Sequence, residues 1–419
     1  MTEQFPVDVR SETGRLTGVI LHRPGPEVDA MTPATAERAL YSDILNLAVA
    51  TAEYDQLHGV LSRWTRTFEV CDLLRDILAN DRVRETLVQR ICTHEGVADL
   101  APSLIAMTPA DLTRALIEGV PLVRDNLTRF LSEDRFALPP LHNFFFMRDA
   151  AAAVGDRVLI GRMASRVRER EALIMEAIFD FHPGFRTGTV NPVRLGADHP
   201  SVTIEGGDVV VAREDVLMVG VGQRTSSQAV DFLIERLKQE QEPRHLLVQV
   251  LPRQPESFIH LDMVFTLLDR DACMVYAPLV TEHNHFATVH IETAGGEVRR
   301  IREVENLMDG LRGVGLDLEP IACGGRDDRW LQEREQWHSG TNFFALAPGK
   351  VIGYARNTHT LAELDRHGFA VMTADDVIAG RADPEAGGRC VVTIGGSELA
   401  RGGGGCRCMT LPVGREALD

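Results

Sequence analysis

Short apolar runs alternate with helix-like segments through most of this chain, from the Pro139-Pro140 pair towards the C-terminus. Runs such as "DRVLIGRM", "DVVVA", "HLLVQVL" and "RCVVTIGG" are typical of buried strands, whereas "REREALIMEAIFDF" and "SSQAVDFLIERLKQE" have the apolar spacing of amphipathic helices. An earlier run, Leu16 to Leu21, is bounded by Gly14 and by Pro24-Gly25 and predicts another buried strand. Similar units recur four or five times without a fixed period, so the sequence predicts an α/β fold.

The segment from about Asp72 to Leu131 has a different texture. In "CDLLRDILAND", "VRETLVQRICTHEG" and "LVRDNLTRFLSED" the apolar residues lie three and four apart, which indicates several consecutive amphipathic helices. Helix starts are predicted at Thr108-Pro109 and at Ser103. This segment is therefore predicted to be a helical insertion.

Composition and charge exclude several classes of protein. With 419 residues, 44% of them hydrophobic, the chain can form a large core, while its net charge of -17 disfavours nucleic acid as a partner. The first thirty residues lack a signal-peptide pattern, and no apolar run approaches the roughly 18 residues of a membrane span, so we expect a cytoplasmic protein. The seven cysteines are scattered without a CxxC pair, which indicates neither a disulfide framework nor a zinc ribbon.

The stretch "FIHLDMVF" places a histidine and a carboxylate in apolar surroundings. If it forms a strand, His260 and Asp262 project to the same face, because side chains two apart do so. The pair could simply satisfy each other in the core, and a metal pair with His283 and His285 of "HNH" is a further alternative. These residues alone do not decide between the interpretations.

Two other polar stretches are candidates for chemistry. "TIEGGDVVVA" has Glu205 and Asp208 flanking two glycines, which by itself is ordinary turn chemistry. "LHNFFFMRDAAAAV" puts polar residues at the entrance of a predicted strand, and an arginine stands just before the following helix: Asn143, Phe146, Arg148, Asp149 and Arg168.

The C-terminal stretch "ARGGGGCRCMT" joins four glycines to two cysteines. Without a lysine and a following helix it is a poor phosphate loop, but it could present Cys408 as a nucleophile. A thiol is mostly protonated at neutral pH unless a cation stabilises its anion. That cation could be His260, Arg407 or a cationic substrate.

Seven stretches, in order and over nearly the full length, resemble the arginine deiminases of the guanidino-group modifying superfamily. They are "SETGRLTGVILHRPGPEVDAMTP", "NFFFMRD", "EGGD", "GVGQRTS", "HLDMVFTLLD", "TNFFALAPGKVIGYARN" and "GGGGCRCMT". The resemblance implies a five-bladed α/β propeller (pentein-like) over residues 1–71 and 136–419, with residues 72–135 as an inserted α-helical bundle.

The resemblance also implies a role for each candidate residue. Cys408 matches the nucleophile, and Cys406 is left as a bystander. His260 matches the acid/base, Glu205 the carboxylate that holds it, and Asp149 and Asp262 the two carboxylates that grip the guanidinium. The positions that match substrate-binding residues are Asn143, Phe146, Arg168, Asp208 and Arg224.

The implied reaction is hydrolysis of L-arginine to L-citrulline and ammonia through a covalent S-alkylthiouronium intermediate. No metal or organic cofactor is expected, and the family commonly forms homo-oligomers. Alternatives are hydrolysis of another guanidino compound, amidino transfer to an amine, or a non-catalytic arginine sensor. The chain departs from the family pattern at Gly403, where a second arginine is frequent, and at Ala355, where an aspartate is usual.

Overall fold

The computed structural model describes residues 4–36, 41, 43–197 and 199–418. Among these residues, five units share one strand order. In each unit the first two strands pair antiparallel, and the third strand pairs parallel to the second. At least one helix lies between the second and third strands, as a parallel connection requires.

The strands of the five units, each in the order first, second and third, are the following. They are Ala151–Val154, Arg157–Ile160 and Gly188–Val190; Val209–Arg213, Val216–Val221 and Arg244–Val250; Phe265–Leu267, Ala272–Val275 and Glu319–Ala322; Phe344–Ala347, Lys350–Tyr354 and Cys390–Ile394; and Leu411–Arg415, Leu16–Leu21 and Arg66–Glu69. The corresponding connecting helices are Glu169–Phe181, Ser227–Leu237, Leu307–Gly313, Thr358–Arg366 and Leu47–Trp64.

The last unit joins the two ends of the chain. Its first strand, Leu411–Arg415, pairs with Leu16–Leu21, and Ile20 lies opposite Leu411 in the register. The central strand is almost entirely buried, as the short apolar run bounded by glycine and proline predicts. This pairing brings the C-terminal cysteines close to residues near the N-terminus.

One hairpin was not predicted. Thr288–Ala294 and Glu297–Val304 pair antiparallel and extend the sheet that contains Arg244–Val250. The second of these strands reads "EVRRIREV" and is largely exposed, so it has no apolar run to reveal it.

The helices between Val70 and Leu131 follow the sequence signals closely. Thr108 caps Pro109–Glu118 by accepting from the Asp111 amide, as predicted. The predicted start at Ser103 is wrong, because Ser103 lies inside the helix Ala101–Ile105 and bonds back to Leu100. The other helices of this segment are Val70–Leu78, Asp81–Glu95 and Leu127–Leu131.

This helical segment shares a core with the sheet that begins at Ala151. Val70, Leu74, Leu87 and Leu116 belong to the same buried cluster as Ile178 of the connecting helix. Burial of one apolar face against a neighbouring element is what stabilises short amphipathic helices.

The remaining elements are short. The helices are Pro26–Asp29, Pro33–Ala36, Ala277–Val280, Arg329–Trp337 and Ala374–Ile378, and the 3-10 turns are Ala98–Leu100, Arg166–Arg168, Gly206–Asp208, Glu256–Phe258, Leu261–Met263 and Leu399–Gly402. Ala370–Thr373 adds a fourth strand beside Cys390–Ile394, and two-stranded pairs join Phe5–Pro6 to Phe185–Arg186 and Val120–Pro121 to Phe136–Leu138. None of the helices in the described ranges is long and apolar enough to cross a membrane.

Candidate active site

The four polar stretches singled out in the sequence, and a fifth that was not, occupy equivalent places in the five units. Each stretch comes immediately before the first strand of its unit: residues 143–149, 205–208, 260–263, 341–342 and 406–408. These segments meet and bond to one another. The Gly206 amide donates to the Asp149 carbonyl, and the Arg148 amide donates to the Cys408 carbonyl, both at 3.0 Å. The site is therefore built where five strands begin.

The segment around His260 is not the strand that its sequence indicated. Leu261–Met263 forms a 3-10 turn, and the strand starts only at Phe265. The Leu261 amide donates to Asp208 Oδ1 at 2.9 Å, which holds the turn against the "EGGD" segment. His260 and Asp262 are buried as expected, but each has its own partner, so the interpretation as a mutually satisfied core pair is wrong.

His260 lies between two carboxylates. Its Nε2 is 2.9 Å from Glu205 Oε2, and its Nδ1 is 3.6 Å from Asp149 Oδ1. Burial opposes the charged imidazolium, but Asp149, Glu205 and Asp208 outweigh it and raise the pKa of His260 to about 9. The bond from His260 and the charge of Arg224 outweigh the burial of Glu205 and lower its pKa. The histidine is thus held as a proton donor at neutral pH.

The two glycines of "EGGD" allow this close packing. A Cβ on Gly207 would lie 2.5 Å from His260 Nδ1, and one on Gly206 would lie 2.0 Å from the Arg148 carbonyl oxygen. A side chain at either position therefore has no room.

Cys408 is buried, and its sulfur lies next to Asn342 and Asp262. Asn342 Nδ2 donates to Sγ at 3.2 Å, and Asp262 Oδ2 is 3.6 Å from Sγ. Burial raises the pKa of Cys408 well above its usual range, and the negative charges of Asp262 and Asp149 raise it further. Without a cationic ligand beside the sulfur, Cys408 is therefore a thiol.

The charge of Arg407 lowers the pKa of Cys408, but burial and the two carboxylates outweigh it. Its guanidinium donates to Asp262 Oδ2 at 2.7 Å and to both oxygens of Glu12, at 2.9 and 3.1 Å. Cys406 is also buried, in an apolar cluster, and burial raises the pKa of its thiol.

A small cavity of about 30 Å³ lies at the Cys408 sulfur. It is lined by Asn143, Phe146, Asp149, Arg168, Arg224, Ile259, His260, Gly402, Gly403, Gly404 and Cys408. Arg224, Ile259, Gly402 and Gly403 also line an adjoining outer cavity of about 840 Å³. The inner cavity is far smaller than the outer one, so its walls must move before an amino acid can reach the sulfur.

Asp149 and His260 line this space, and one oxygen of the first and one nitrogen of the second lie 3.6 Å apart without a hydrogen bond. Among the described residues, Asp149 Oδ1 and His260 Nδ1 are both buried and make no hydrogen bond. Leaving buried polar atoms unpaired is costly, and such atoms in a native site call for a ligand.

The predicted substrate-binding residues are placed as follows. Asn143, Phe146, Arg168 and Arg224 line the cavity, whereas Asp208 lies behind His260, where burial raises its pKa to about 7. Arg168 Nη1 donates to Asp149 Oδ2 at 2.6 Å, and its Nε and Nη2 donate to Glu171. Arg224 Nη1 is 3.8 Å from Glu205 Oε1, beyond hydrogen-bond distance.

Asn342 is the functional candidate that the sequence analysis missed. Its side chain oxygen accepts from the amides of Arg407 and Cys408, at 2.9 and 3.1 Å, and its nitrogen also donates to the Asp262 carbonyl. It stands before the first strand of its unit, as the other site segments do. That shared position is the signal that could have identified it.

The metal pair suggested for the "HNH" stretch is wrong. His283 and His285 are exposed in a loop after the helix Ala277–Val280. Within the described ranges, the group whose ligand atoms lie close enough together for a metal ion consists of Asp149, Glu205 and His260. The hydrogen bond of His260 Nε2 to Glu205 accounts for much of that proximity.

Comparison with known proteins places these features in one family. A family model for arginine deiminase matches residues 37–415. Arginine deiminase of Bacillus cereus is 33% identical over 434 residues, which cover 99% of this chain and 100% of the relative.

Solved structures of guanidino-modifying enzymes share the fold at much lower identity. The amidinotransferase SxtG of Microseira wollei aligns with a TM-score of 0.53 at 14% identity, over 99% of this chain and 98% of that one. A cysteine-to-alanine mutant of AgrE bound to L-arginine aligns with a TM-score of 0.51 at 14% identity, over 96% of this chain and 41% of that longer chain. The mixed α/β structure therefore has the pentein fold, and the chain belongs to the arginine deiminase family.

Proposed function

We propose that this protein is an arginine deiminase, which hydrolyses L-arginine to L-citrulline and ammonia. The observation that carries the proposal is a buried thiol flanked by two carboxylates, next to a buried carboxylate oxygen and a buried imidazole nitrogen that make no hydrogen bond within the described part of the chain. A planar cation with several N–H donors complements such a site, and guanidinium is that group.

Binding of the cation is proposed to activate the nucleophile. Burial and the carboxylates of Asp262 and Asp149 raise the pKa of Cys408, and a guanidinium placed between the carboxylates offsets their charge. The thiol then loses its proton to solvent. Asn342 stabilises the resulting thiolate through its Nδ2 donor.

The first half of the reaction replaces nitrogen by sulfur. The Cys408 thiolate adds to the central guanidinium carbon, and the His260 imidazolium protonates the departing nitrogen, which leaves as ammonia. A covalent S-alkylthiouronium remains on Cys408.

The second half returns the enzyme to its starting state. His260, now neutral, removes a proton from water, and the resulting hydroxide adds to the same carbon. Collapse of this adduct breaks the C–S bond, its hydroxyl proton passes to solvent, and citrulline and the thiolate are released. Glu205 stabilises the imidazolium that forms again.

The α-carboxylate of the substrate is assigned to the arginines of the cavity. Arg224 is the more available, because Arg168 donates to both Asp149 and Glu171. Asn143 and Phe146 complete the wall, and Gly402, Gly403 and Gly404 move aside to admit arginine. The AgrE mutant structure with L-arginine supports this class of substrate for the fold.

We further propose that the five strand units form a five-bladed propeller over residues 1–71 and 136–419. Residues 72–135 are proposed as a helical bundle inserted into it. The repeated strand order and the run of helices from Val70 to Leu131 support this division. A cytoplasmic location and a homo-oligomeric state stay predictions.

A different guanidino substrate, or an amine in place of water, is the second candidate. The outer cavity of about 840 Å³ favours it, because it offers more space than free arginine needs. Gly403 lines that cavity, and a Cβ there would meet no atom within 4 Å.

The test is production of ammonia and citrulline from L-arginine by the purified protein. The Cys408→Ser and Cys406→Ser variants are assayed in parallel, since both thiols are buried and only Arg407 separates them in the chain. We expect wild type and Cys406→Ser to release both products and Cys408→Ser to release neither. A wild type that consumes arginine without releasing ammonia indicates amidino transfer, and one that leaves arginine unchanged contradicts the proposal.

A further inference from the structure

A second cysteine site lies away from the candidate active site. All seven cysteines are in the described ranges, and Cys71 alone is exposed. It stands in the first turn of the helix Val70–Leu78, which Glu69 precedes as the N-cap residue. The amides at a helix N-terminus favour an anionic sulfur.

A buried histidine and a buried glutamate support this sulfur. Cys71 Sγ lies 3.8 Å from His22 Nδ1, and His22 Nε2 lies 3.2 Å from Glu27 Oε1. Burial opposes the charge on His22, but its bonds to Cys71 and Glu27 prevail and raise its pKa to about 10. Glu27 thus helps to hold an imidazolium beside the Cys71 sulfur.

The sulfur borders a cavity of about 380 Å³. Its charged lining residues are His22, Arg23, Arg75, Arg114, Glu27 and Glu118. The cavity shares no lining residue with the one at Cys408. The cavity is large enough for a ligand the size of a short peptide, and the Cys71 sulfur lies at its wall.

The three arginines give the cavity a rim that suits anions. Each pairs with an aspartate at the surface: Arg23 with Asp55, Arg75 with Asp72 and Arg114 with Asp111. All six side chains of these pairs are at least 47% exposed. Exposed pairs of this kind are weak, so the guanidinium groups remain available to a carboxylate of a ligand.

We propose that Cys71 is a reactive thiol that undergoes exchange with small disulfides carrying carboxylates, and that the His22–Glu27 pair positions and activates it. The Cys71 thiolate attacks one sulfur of the disulfide, and a new S–S bond forms as the old one breaks. The other half leaves as a thiolate, so the disulfide supplies the oxidising equivalents and Cys71 ends as a mixed disulfide. This reaction is independent of arginine hydrolysis.

The experiment uses the full-length reduced protein and glutathione disulfide as the anionic probe. Intact mass and peptide mapping follow the adduct over time in wild type, Cys71→Ser and Cys408→Ser. We expect one glutathione adduct, on Cys71, in wild type and Cys408→Ser and none in Cys71→Ser. An adduct confined to other cysteines, or no adduct while the protein stays folded, overturns the proposal.

Rates separate an activated thiol from one that is merely exposed. His22→Gln and Glu27→Gln should slow formation of the adduct by about tenfold, because the thiolate loses its cation. If these buried changes impair folding, the exposed Arg75→Gln and Arg114→Gln provide a second test. They should slow reaction with glutathione disulfide while leaving reaction with the dicationic disulfide cystamine unchanged or faster. Equal effects on both probes contradict the assigned ligand class.

Discussion

At the scale of single residues, one carboxylate raises the pKa of both reacting groups, with opposite consequences for their charge. Asp149 raises the pKa of His260, which keeps the imidazole charged, and it raises the pKa of Cys408, which keeps the thiol neutral. Before substrate binds, the site therefore holds the His260 imidazolium as a proton donor, but Cys408 is not yet the thiolate that acts as the nucleophile. A cationic substrate offsets the carboxylate charge and favours the thiolate, which restricts thiolate formation to the occupied site, while the bond to Glu205 still supports the imidazolium.

Glu205→Gln tests this use of charge on His260. Glu205 raises the pKa of His260, and the imidazolium is the form that protonates the leaving nitrogen. Removing the negative charge lowers that pKa, so the loss of activity on the alkaline side should begin at a lower pH than in wild type. We expect the alkaline limb of kcat/KM to move down by about one pH unit.

The matched control is Glu335→Gln, which changes a buried glutamate that bonds to Thr360 instead of the site. The α-amino group of arginine titrates identically with all three proteins, so the difference reports on His260. An alkaline limb that stays in place in Glu205→Gln contradicts the assigned role.

Asn342→Ala tests the residue that sequence reasoning missed. The change removes the donor to Cys408 Sγ and the acceptor of the Arg407 and Cys408 amides. We expect kcat to fall by about 10- to 100-fold with a smaller change in KM, because a thiolate stabiliser is lost. Steady-state kinetics on L-arginine measures the split.

Asn357→Ala serves as the control for Asn342→Ala. Asn357 is equally buried, but its Nδ2 donates to the His338 carbonyl outside the candidate site. If both variants lose activity and thermal stability to the same extent, Asn342 has only a structural role.

At the scale of elements, the site depends on what precedes each strand more than on the strands themselves. Five short segments converge, and glycines let them approach within contact distance. Gly207 is the tightest point beside His260, since a Cβ there would lie 2.5 Å from Nδ1 and 3.0 Å from Asp149 Oδ1. Because Gly207 has no side chain, His260 and Asp149 can lie this close together.

Gly207→Ala should therefore damage catalysis directly. The added methyl group must displace the His260 ring or Asp149, and we expect kcat/KM to fall by about 100-fold. Gly387→Ala is the control, because a Cβ at that exposed position meets nothing within 4 Å. Near-normal kinetics in Gly207→Ala would mean that the turn relaxes without moving the histidine.

Strands and helices were predictable wherever the sequence has a regular apolar pattern. Leu16–Leu21 and Pro109–Glu118 follow from a bounded apolar run and from a capping threonine. The strand Glu297–Val304 could not be found this way, because its residues are exposed and mostly charged. The strand predicted around His260 is wrong because the polar and apolar residues of this 3-10 turn alternate as they would in a strand.

The candidate site itself was identified from motif resemblance more than from physical pattern. Glu205 and Asp208 look like ordinary turn residues until the turn is placed against His260. Of the two ion pairs Arg407–Glu12 and Arg168–Glu171, the first could not be anticipated, because its residues are 395 positions apart in the chain.

At the scale of the whole molecule, the pairing of the first and last strands closes the chain and assembles the nucleophile's surroundings. Glu12 precedes the strand Leu16–Leu21, and Arg407 precedes the strand Leu411–Arg415. Their side chains meet in a buried ion pair, and Arg148 lies 3.8 Å from the same glutamate. The position of the C-terminal segment, which includes Cys408, thus depends on Glu12 near the N-terminus.

Glu12→Gln should accordingly reduce stability in a way that depends on pH. Although burial raises the pKa of Glu12, Arg407 and Arg148 prevail and lower it from 4.5 to about 2. A carboxyl whose folded pKa is depressed stabilises the protein above its unfolded pKa, and this contribution is lost as pH falls towards the folded value. A shift of this size corresponds to about 3 kcal/mol near neutral pH.

The measurement is the free energy of unfolding of wild type and Glu12→Gln, from urea denaturation at several pH values. We expect the variant to be less stable by about 3 kcal/mol at about pH 6, and the difference to shrink by about 1 kcal/mol by about pH 3.5. Other carboxylates titrate in both proteins, so they cancel in the difference. A difference that stays constant over this range would show that the lost stability comes from packing, and that the closure of the chain does not depend on the charge of Glu12.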